Sequence, residues 1–174
     1  LTKGYLHGGA GIGSGYGGGG SENMKIIITG GKVEANGAPR AAGIGGGEGK
    51  YVGEISISGD ADVIARGNSL AAAIGGGYEA KSGKITINGG KIEAIAGTSG
   101  AGIGSGSACT KKDNSVDITI NGGNIIADGG GRFIDLYTTN TYGSSIGAGG
   151  CLLDTHNNGD SVKDNSYFAG NIYL

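Results

Sequence analysis

Several residue types are scarce in this chain of 174 residues, and each shortage excludes a class of protein. It has one proline, which excludes collagen and polyproline folds because both need proline at high frequency. Trp is absent and Phe occurs twice, so no large aromatic core can form. Charged residues make up 16%, and a net charge of −2 supplies no basic face for nucleic acid. No apolar run approaches the roughly 18 residues of a membrane-spanning helix.

Glycine, by contrast, accounts for 43 residues, and its distribution is periodic rather than random. An Ala-Gly-Ile-Gly segment, or a close variant of it, recurs five times. Its isoleucines are 32, 30, 29 and 43 residues apart, at Ile12, Ile44, Ile74, Ile103 and Ile146. Each of the first four copies is followed by an Ile-x-Ile segment and then by a segment that ends in alanine. Three short segments that return in fixed order about every 30 residues indicate a stacked repeat architecture.

These segments alternate apolar and polar residues, as strands buried on one face do, and helical periodicity is absent. We therefore predict an all-β fold, a right-handed parallel β-helix with three strands per coil and about five coils of roughly 30 residues. The coils span about residues 9–150 of a single domain, 1–174, and residues 151–174 form an irregular C-terminal segment. Because the chain begins at Leu1 without Met or a signal peptide, we interpret it as a segment of a longer protein.

The alternation also predicts which side chains face the core. The inward columns of the second and third strands are Ile26/Ile55/Ile85/Ile118, Ile28/Ile57/Ile87/Ile120, Val33/Val63/Ile92/Ile125 and Ala35/Ala65/Ala94/Ala127. An outward column of the third strand, Lys32/Asp62/Lys91/Asn124, alternates in charge and favours stacking in register. In the first strand, glycines such as Gly43 and Gly45 fall on the predicted outer face. They form either a bare docking strip or a place where backbone packs closely.

The Ala-Gly-Ile-Gly and Ile-Thr-Ile-Asn-Gly-Gly segments resemble the Gly-rich right-handed parallel β-helix repeats of large secreted or wall-anchored bacterial surface proteins. The resemblance covers about Gly9 to Gly150 and ends before residues 152–174. It implies an extracellular protein that meets glycans, without specifying a reaction.

Candidate ligand-binding residues lie in the turns. Aromatic faces beside polar groups suit sugars, although a tyrosine in a turn can equally be a half-buried β-former. The tyrosines do not share a single repeat position. An insertion at residues 132–142 is long and apolar enough either to contact a ligand or to cover the core. The candidates are Tyr16, Tyr51, Tyr78, Arg132, Tyr137 and Tyr142.

Two further features concern cysteine and calcium. Cys109 and Cys151 fall in equivalent turns of adjacent coils, where stacking favours a disulfide over two free thiols. Asp154, Asn158 and Asp160 are spaced like the start of a calcium loop, although a plain polar turn has the same composition. We therefore expect either no cofactor or calcium.

No catalytic set of residues emerges from the sequence. The two histidines, His7 and His156, lie near opposite ends of the chain, and zinc would have too few ligands. We predict a non-catalytic extracellular module for adhesion or carbohydrate binding. Its partners would be glycans and other domains of a longer chain, with no nucleic acid and no membrane span. Two alternatives stay open: a fragment of a polysaccharide-active β-helix enzyme (a glycosidase or lyase), and a structural spacer.

Overall fold

The computed structural model describes residues 7–17, 21–107, 115–131, 143–150 and 170–174. These residues form twelve β-strands and one short 3-10 turn, Ser21–Asn23. Every strand pairing among them is parallel. The chain is a parallel β-solenoid, which confirms the predicted fold class.

The first ladder stacks five strands of two residues each, all with the sequence Ile-Gly. They are β1 (Ile12–Gly13), β4 (Ile44–Gly45), β7 (Ile74–Gly75), β9 (Ile103–Gly104) and β11 (Ile146–Gly147). Each isoleucine pairs with the isoleucine of the next turn. Five stacked strands enclose four complete turns. The 43 residues between Ile103 and Ile146 leave the register unchanged.

The remaining strands form a second, larger sheet. The early turns contribute two separate strands each: β2 (Lys25–Ile28) and β3 (Lys32–Asn36), then β5 (Glu54–Ile57) and β6 (Asp62–Arg66). In the later turns these fuse into long continuous strands, β8 (Lys84–Ile95) and β10 (Val116–Asp128). The charge column Lys32/Asp62/Lys91/Asn124 is in register, as predicted.

The last strand, β12 (Gly170–Tyr173), pairs with the beginning of β10. Position 172 is an isoleucine in register with Ile118, so the second-strand column continues by one rung. The segment 151–174 was expected to be irregular throughout. Its residues 170–173 instead extend the sheet, and residues 151–169 lie outside the described part.

The core is a narrow stack of aliphatic side chains at the predicted inward positions. Ile55, Ile85 and Ile118 are fully buried, and so are the isoleucines of the first ladder in the middle turns. β-Branched side chains suit such a stack because they fill the pleated surface of a strand with little loss of rotamer freedom. Exposure rises towards the first turn, where Ile12 is 36% exposed. Each turn therefore depends on its neighbours for burial.

The prediction of a bare outward strip in the first ladder is wrong for the middle turns. Gly43 and Gly45 are buried, and Ala73 belongs to the hydrophobic core together with its neighbour Ile74. Alternation fails because the following glycine, Gly75, has φ of +131°, outside the extended region of other residues. A Cβ on Gly75 would overlap the carbonyl oxygen of Gly104 in the next turn. Close backbone packing therefore explains these glycines.

Within the described residues, no helix has the length and apolar character needed to cross a membrane.

Candidate functional site

Three of the predicted ligand-binding residues, Tyr16, Tyr51 and Tyr78, lie in the described part of the structure. The remaining candidates lie outside it: Arg132, Tyr137, Tyr142, the pair Cys109 and Cys151, and Asp154, Asn158 and Asp160. Their predicted roles in ligand contact, disulfide formation and calcium binding stay predictions. The site described below is built from the turns that follow the first ladder.

These turns present one outward side chain at the same place in each coil. The glycines Gly15, Gly47, Gly77 and Gly106 stack on one another, since a Cβ on each would meet the backbone of the one before it. The residue after each of these glycines is therefore equivalent from turn to turn. Those residues are Tyr16, Glu48, Tyr78 and Ser107. Two tyrosines thus share a repeat position, contrary to the sequence interpretation.

Glu48 lies between the two tyrosines along the stack and receives two cationic partners. His7 Nδ1 is hydrogen-bonded to Glu48 Oε2, and Arg40 Nη1 donates to Glu48 Oε1 at 2.9 Å. The Glu48 side chain is only 13% exposed. We name the five residues His7, Tyr16, Arg40, Glu48 and Tyr78 the corner cluster.

Arg40 reaches this position from the turn that precedes the next first-ladder strand. Ala41 N donates to Ala38 O at 2.9 Å and closes this turn around Pro39 and Arg40. Proline favours the first central position, and the second then takes a positive φ, here +64° for Arg40. Glycine or asparagine ordinarily occupies that position, so arginine stores some backbone strain there. In return, its guanidinium group is aimed at Glu48.

Both tyrosine rings of the cluster carry a partner on one face. The ring of His7 stacks on that of Tyr16, with centroids 4.4 Å apart and planes inclined by 11°. The guanidinium carbon of Arg40 lies 5.2 Å from the centroid of Tyr78. Tyr16 is nevertheless 56% exposed, whereas Tyr78 is half-buried. The rings are thus held in fixed positions while part of their surface meets solvent.

The electrostatics of the cluster favour an ionised carboxylate. Partial burial acts to raise the pKa of Glu48, but the hydrogen bonds and charges of His7 and Arg40 outweigh it and lower that pKa below its ordinary value. Burial raises the pKa of Tyr78, and the neighbouring Glu79 adds to this through its charge and a hydrogen bond. Glu48 is therefore ionised and Tyr78 neutral at ordinary pH.

Tyr51 lies in a separate place, next to a surface groove. Lys81 Nζ is 4.7 Å from the centroid of the Tyr51 ring, and the two residues occupy equivalent positions of adjacent turns. The groove has a volume of about 340 Å³ and is also lined by Lys84, Ser115 and Asp117. The structure does not bring Tyr51 together with Tyr16 and Tyr78 in one cluster.

The sequence reasoning missed His7, Arg40 and Glu48. A signal for Glu48 was available: Tyr16, Glu48 and Tyr78 are 32 and 30 residues apart, the same spacings that separate Ile12, Ile44 and Ile74. His7 and Arg40 have no such signal, because they reach the cluster from other parts of their coils. In the described residues, no group of three or more His, Cys, Asp or Glu side chains is placed to hold a metal ion.

Comparison with protein families matches three stretches of the chain, residues 26–48, 55–78 and 85–107, to the family model described as Beta helix repeat. Each stretch begins at the second strand of one turn and ends just after the first-ladder strand of the next, so the match follows the structural repeat. The chain therefore contains parallel β-helix repeats. No curated protein and no solved structure matches the chain.

Proposed function

We propose that this chain is a non-catalytic extracellular module that binds a linear polysaccharide along the corner cluster and thereby supports adhesion. The observation that carries the proposal is the equivalence of Tyr16 and Tyr78 at one turn position, two turns apart. Parallel stacking at about 4.8 Å per turn separates them by roughly 10 Å along the solenoid axis. This distance is comparable to the length of a disaccharide unit in an extended polysaccharide.

The chemistry between the two rings also suits a sugar. The apolar C–H face of a sugar ring packs on aromatic surface, and its hydroxyl groups need hydrogen-bond donors and acceptors nearby. Arg40 and Glu48 supply both kinds of group between Tyr16 and Tyr78. Since Arg40 and His7 already hold Glu48 in place, little side-chain entropy is lost when a ligand binds.

The same contacts argue against a catalytic role for Glu48. A general acid needs a raised pKa so that it holds a proton at working pH, and the pKa of Glu48 is lowered instead. We therefore favour binding over the polysaccharide-active enzyme or the spacer.

The test is the affinity of the purified chain for a panel of linear polysaccharides, compared with the variants Tyr16→Ala and Tyr78→Ala. Each variant should weaken binding about tenfold, as the loss of a central aromatic contact does. Tyr173→Ala is the matched control, because Tyr173 is 57% exposed on the last strand, away from the cluster. Circular dichroism confirms that each variant keeps the fold.

Equal losses in all three variants, or no binding by the parent chain, would contradict the proposal and favour the spacer. Release of soluble sugar over time would favour the enzyme instead. The panel is run with calcium and with a chelator. Binding that requires calcium would transfer the site to Asp154, Asn158 and Asp160, whereas binding that survives the chelator keeps it at the corner cluster.

A further inference from the structure

The outer face of the second sheet carries a column of alternating charge. Lys25 pairs in register with Glu54, Glu54 with Lys84, and Lys84 with Asp117. Lys25, Lys84 and Asp117 are exposed, and the side chain of Glu54 is 32% exposed. We name these four residues the charge column; along the stack it reads positive, negative, positive, negative. The next rung in register, position 171, is an uncharged asparagine.

Part of this alternation is satisfied within the chain. Lys25 Nζ lies 2.8 Å from Glu54 Oε2, and this contact raises the pKa of Lys25 and lowers that of Glu54. Exposed pairs of this kind contribute little to stability, because water and salt screen them. The charges therefore stay available to a second molecule.

An alternating column of four charges has a simple symmetry property. A two-fold axis that runs parallel to the strands reverses the order of the rungs and keeps each strand position opposite its own copy. Lys25 then faces Asp117 of the second copy, and Glu54 faces Lys84 of the second copy. Every charge meets its opposite, whereas a parallel arrangement would place like charges together.

The neighbouring column on the same sheet follows the same rule. Lys32, Asp62, Lys91 and Asn124 are also in register, on the same four turns. Reversal about the same midpoint places Asp62 opposite Lys91 of the second copy and Lys32 opposite the neutral Asn124. The continuous strands β8 and β10 carry members of both columns, so one sheet presents both.

The row beside the charge column supplies small and apolar contact surface. It consists of Ile27, Ser56, Thr86 and Thr119, also in register. Ile27 is 66% exposed, an unusual position for isoleucine in a sheet that is otherwise so regular. Under the same reversal, Ile27 lies opposite the methyl-bearing Thr119 of the second copy.

We propose that this face binds a second copy of the chain in an antiparallel, two-fold symmetric dimer. This inference goes beyond the proposed function, because it uses the outer face of the second sheet and leaves the corner cluster free. The interface is isologous and closed, so assembly stops at the dimer. Electrostatic contacts predominate, so the dimer weakens as salt is added.

The test uses two double variants with the same composition and the same net charge. Glu54→Lys with Lys84→Glu turns the charge column into two positive rungs followed by two negative rungs. This order still becomes complementary on reversal, although it places like charges next to each other within the chain. Lys25→Glu with Glu54→Lys gives negative, positive, positive, negative, which places like charges opposite each other in the dimer.

Sedimentation velocity is measured for the parent and both variants at about 0.01 M and about 1 M salt, where the Debye lengths are roughly 30 Å and 3 Å. The parent and the first variant should dimerise at low salt and dissociate at high salt. The second variant should raise the dimer dissociation constant by about tenfold or more. Thermal melting checks that all three proteins are folded.

A parent chain that stays monomeric at low salt would overturn the proposal. Equal behaviour of the two double variants would also overturn it, because only the order of charges distinguishes them. Species that grow beyond a dimer would mean a heterologous contact, and that too would refute the closed interface.

Discussion

Two positions in each coil lie only three residues apart and behave in opposite ways. The position after the marker isoleucine is glycine in all five turns: Gly13, Gly45, Gly75, Gly104 and Gly147. The turn position three residues further along differs in each of the first four turns, as Tyr16, Glu48, Tyr78 and Ser107.

The physical reason for this contrast is the space that each position leaves for a side chain. The five glycines have φ between +131° and +145°, and in the first four turns a Cβ would overlap the carbonyl of the next turn. No other residue fits there. The turn position instead points outwards in the first three turns, so its residue type is free to vary. In this solenoid, repeated residues specify the fold, and variation at a repeated position marks the candidate site.

The largest effect is expected where the repetition is strictest. Gly75→Ala must strain a backbone at φ +131° and push the next turn away, which we expect to destabilise the fold by about 3 kcal/mol or more. Chemical denaturation measures the change. The control is Gly15→Ala, since a Cβ there meets no atom within 4 Å and φ is not strained. A mild effect of Gly75→Ala would refute the steric explanation of the column.

A smaller effect is expected at the position between these two, which is Ser14, Gly46, Gly76 and Ser105 in successive turns. Ser105 Oγ accepts a hydrogen bond from Gly149 N at 3.0 Å, and both groups are buried. Where the position is Gly46 instead, the corresponding Gly77 N donates to the backbone oxygen of Lys50 at 3.1 Å.

Ser105→Ala should therefore leave a buried N–H group without its acceptor and cost about 1–3 kcal/mol in unfolding free energy. Ser56→Ala, on the outer face of β5, should change stability by less than about 0.5 kcal/mol. Equal values for the two variants would show that the Ser105 hydroxyl group is dispensable.

The smallest effect is expected at the variable turn position, where the residue serves the site rather than the fold. Because the folded-state pKa of Glu48 is lowered, the stability from its ion pairs is present above its unfolded pKa and is lost as pH falls through the folded value. We expect Glu48→Gln to cost under about 1 kcal/mol at pH 7, and the difference from the parent to vanish below about pH 4. Melting curves between pH 7 and pH 3 measure it, and a difference that persists at pH 3 would assign Glu48 another role.

The sequence predicted the second and third strands well, because their isoleucine columns follow the alternation of an extended chain. It failed in the first strand, where Ala73 and Ile74 are both buried. Alternation requires extended dihedral angles at every residue, and Gly75 does not have them. A pattern read two residues at a time cannot detect such a break.

The candidate site was predicted only in part, for a similar reason. Tyr16 and Tyr78 stand out by residue type, and Glu48 by its spacing from them. His7 and Arg40 join Glu48 through contacts that span 41 and 8 residues of sequence, and no repeat position links them. Local patterns report the repeating backbone, whereas these contacts depend on how neighbouring coils lie against each other.

The unbroken register between Ile103 and Ile146 has a practical consequence. Those two residues pair directly although 43 positions separate them, where the earlier coils use 29 to 32. The ladder thus accepts a dozen additional residues in one coil without a change in its hydrogen bonding. Since loop closure becomes only slowly more costly with length, the coil between them is a natural position at which to graft a peptide epitope or a reporter for display on a rigid rod.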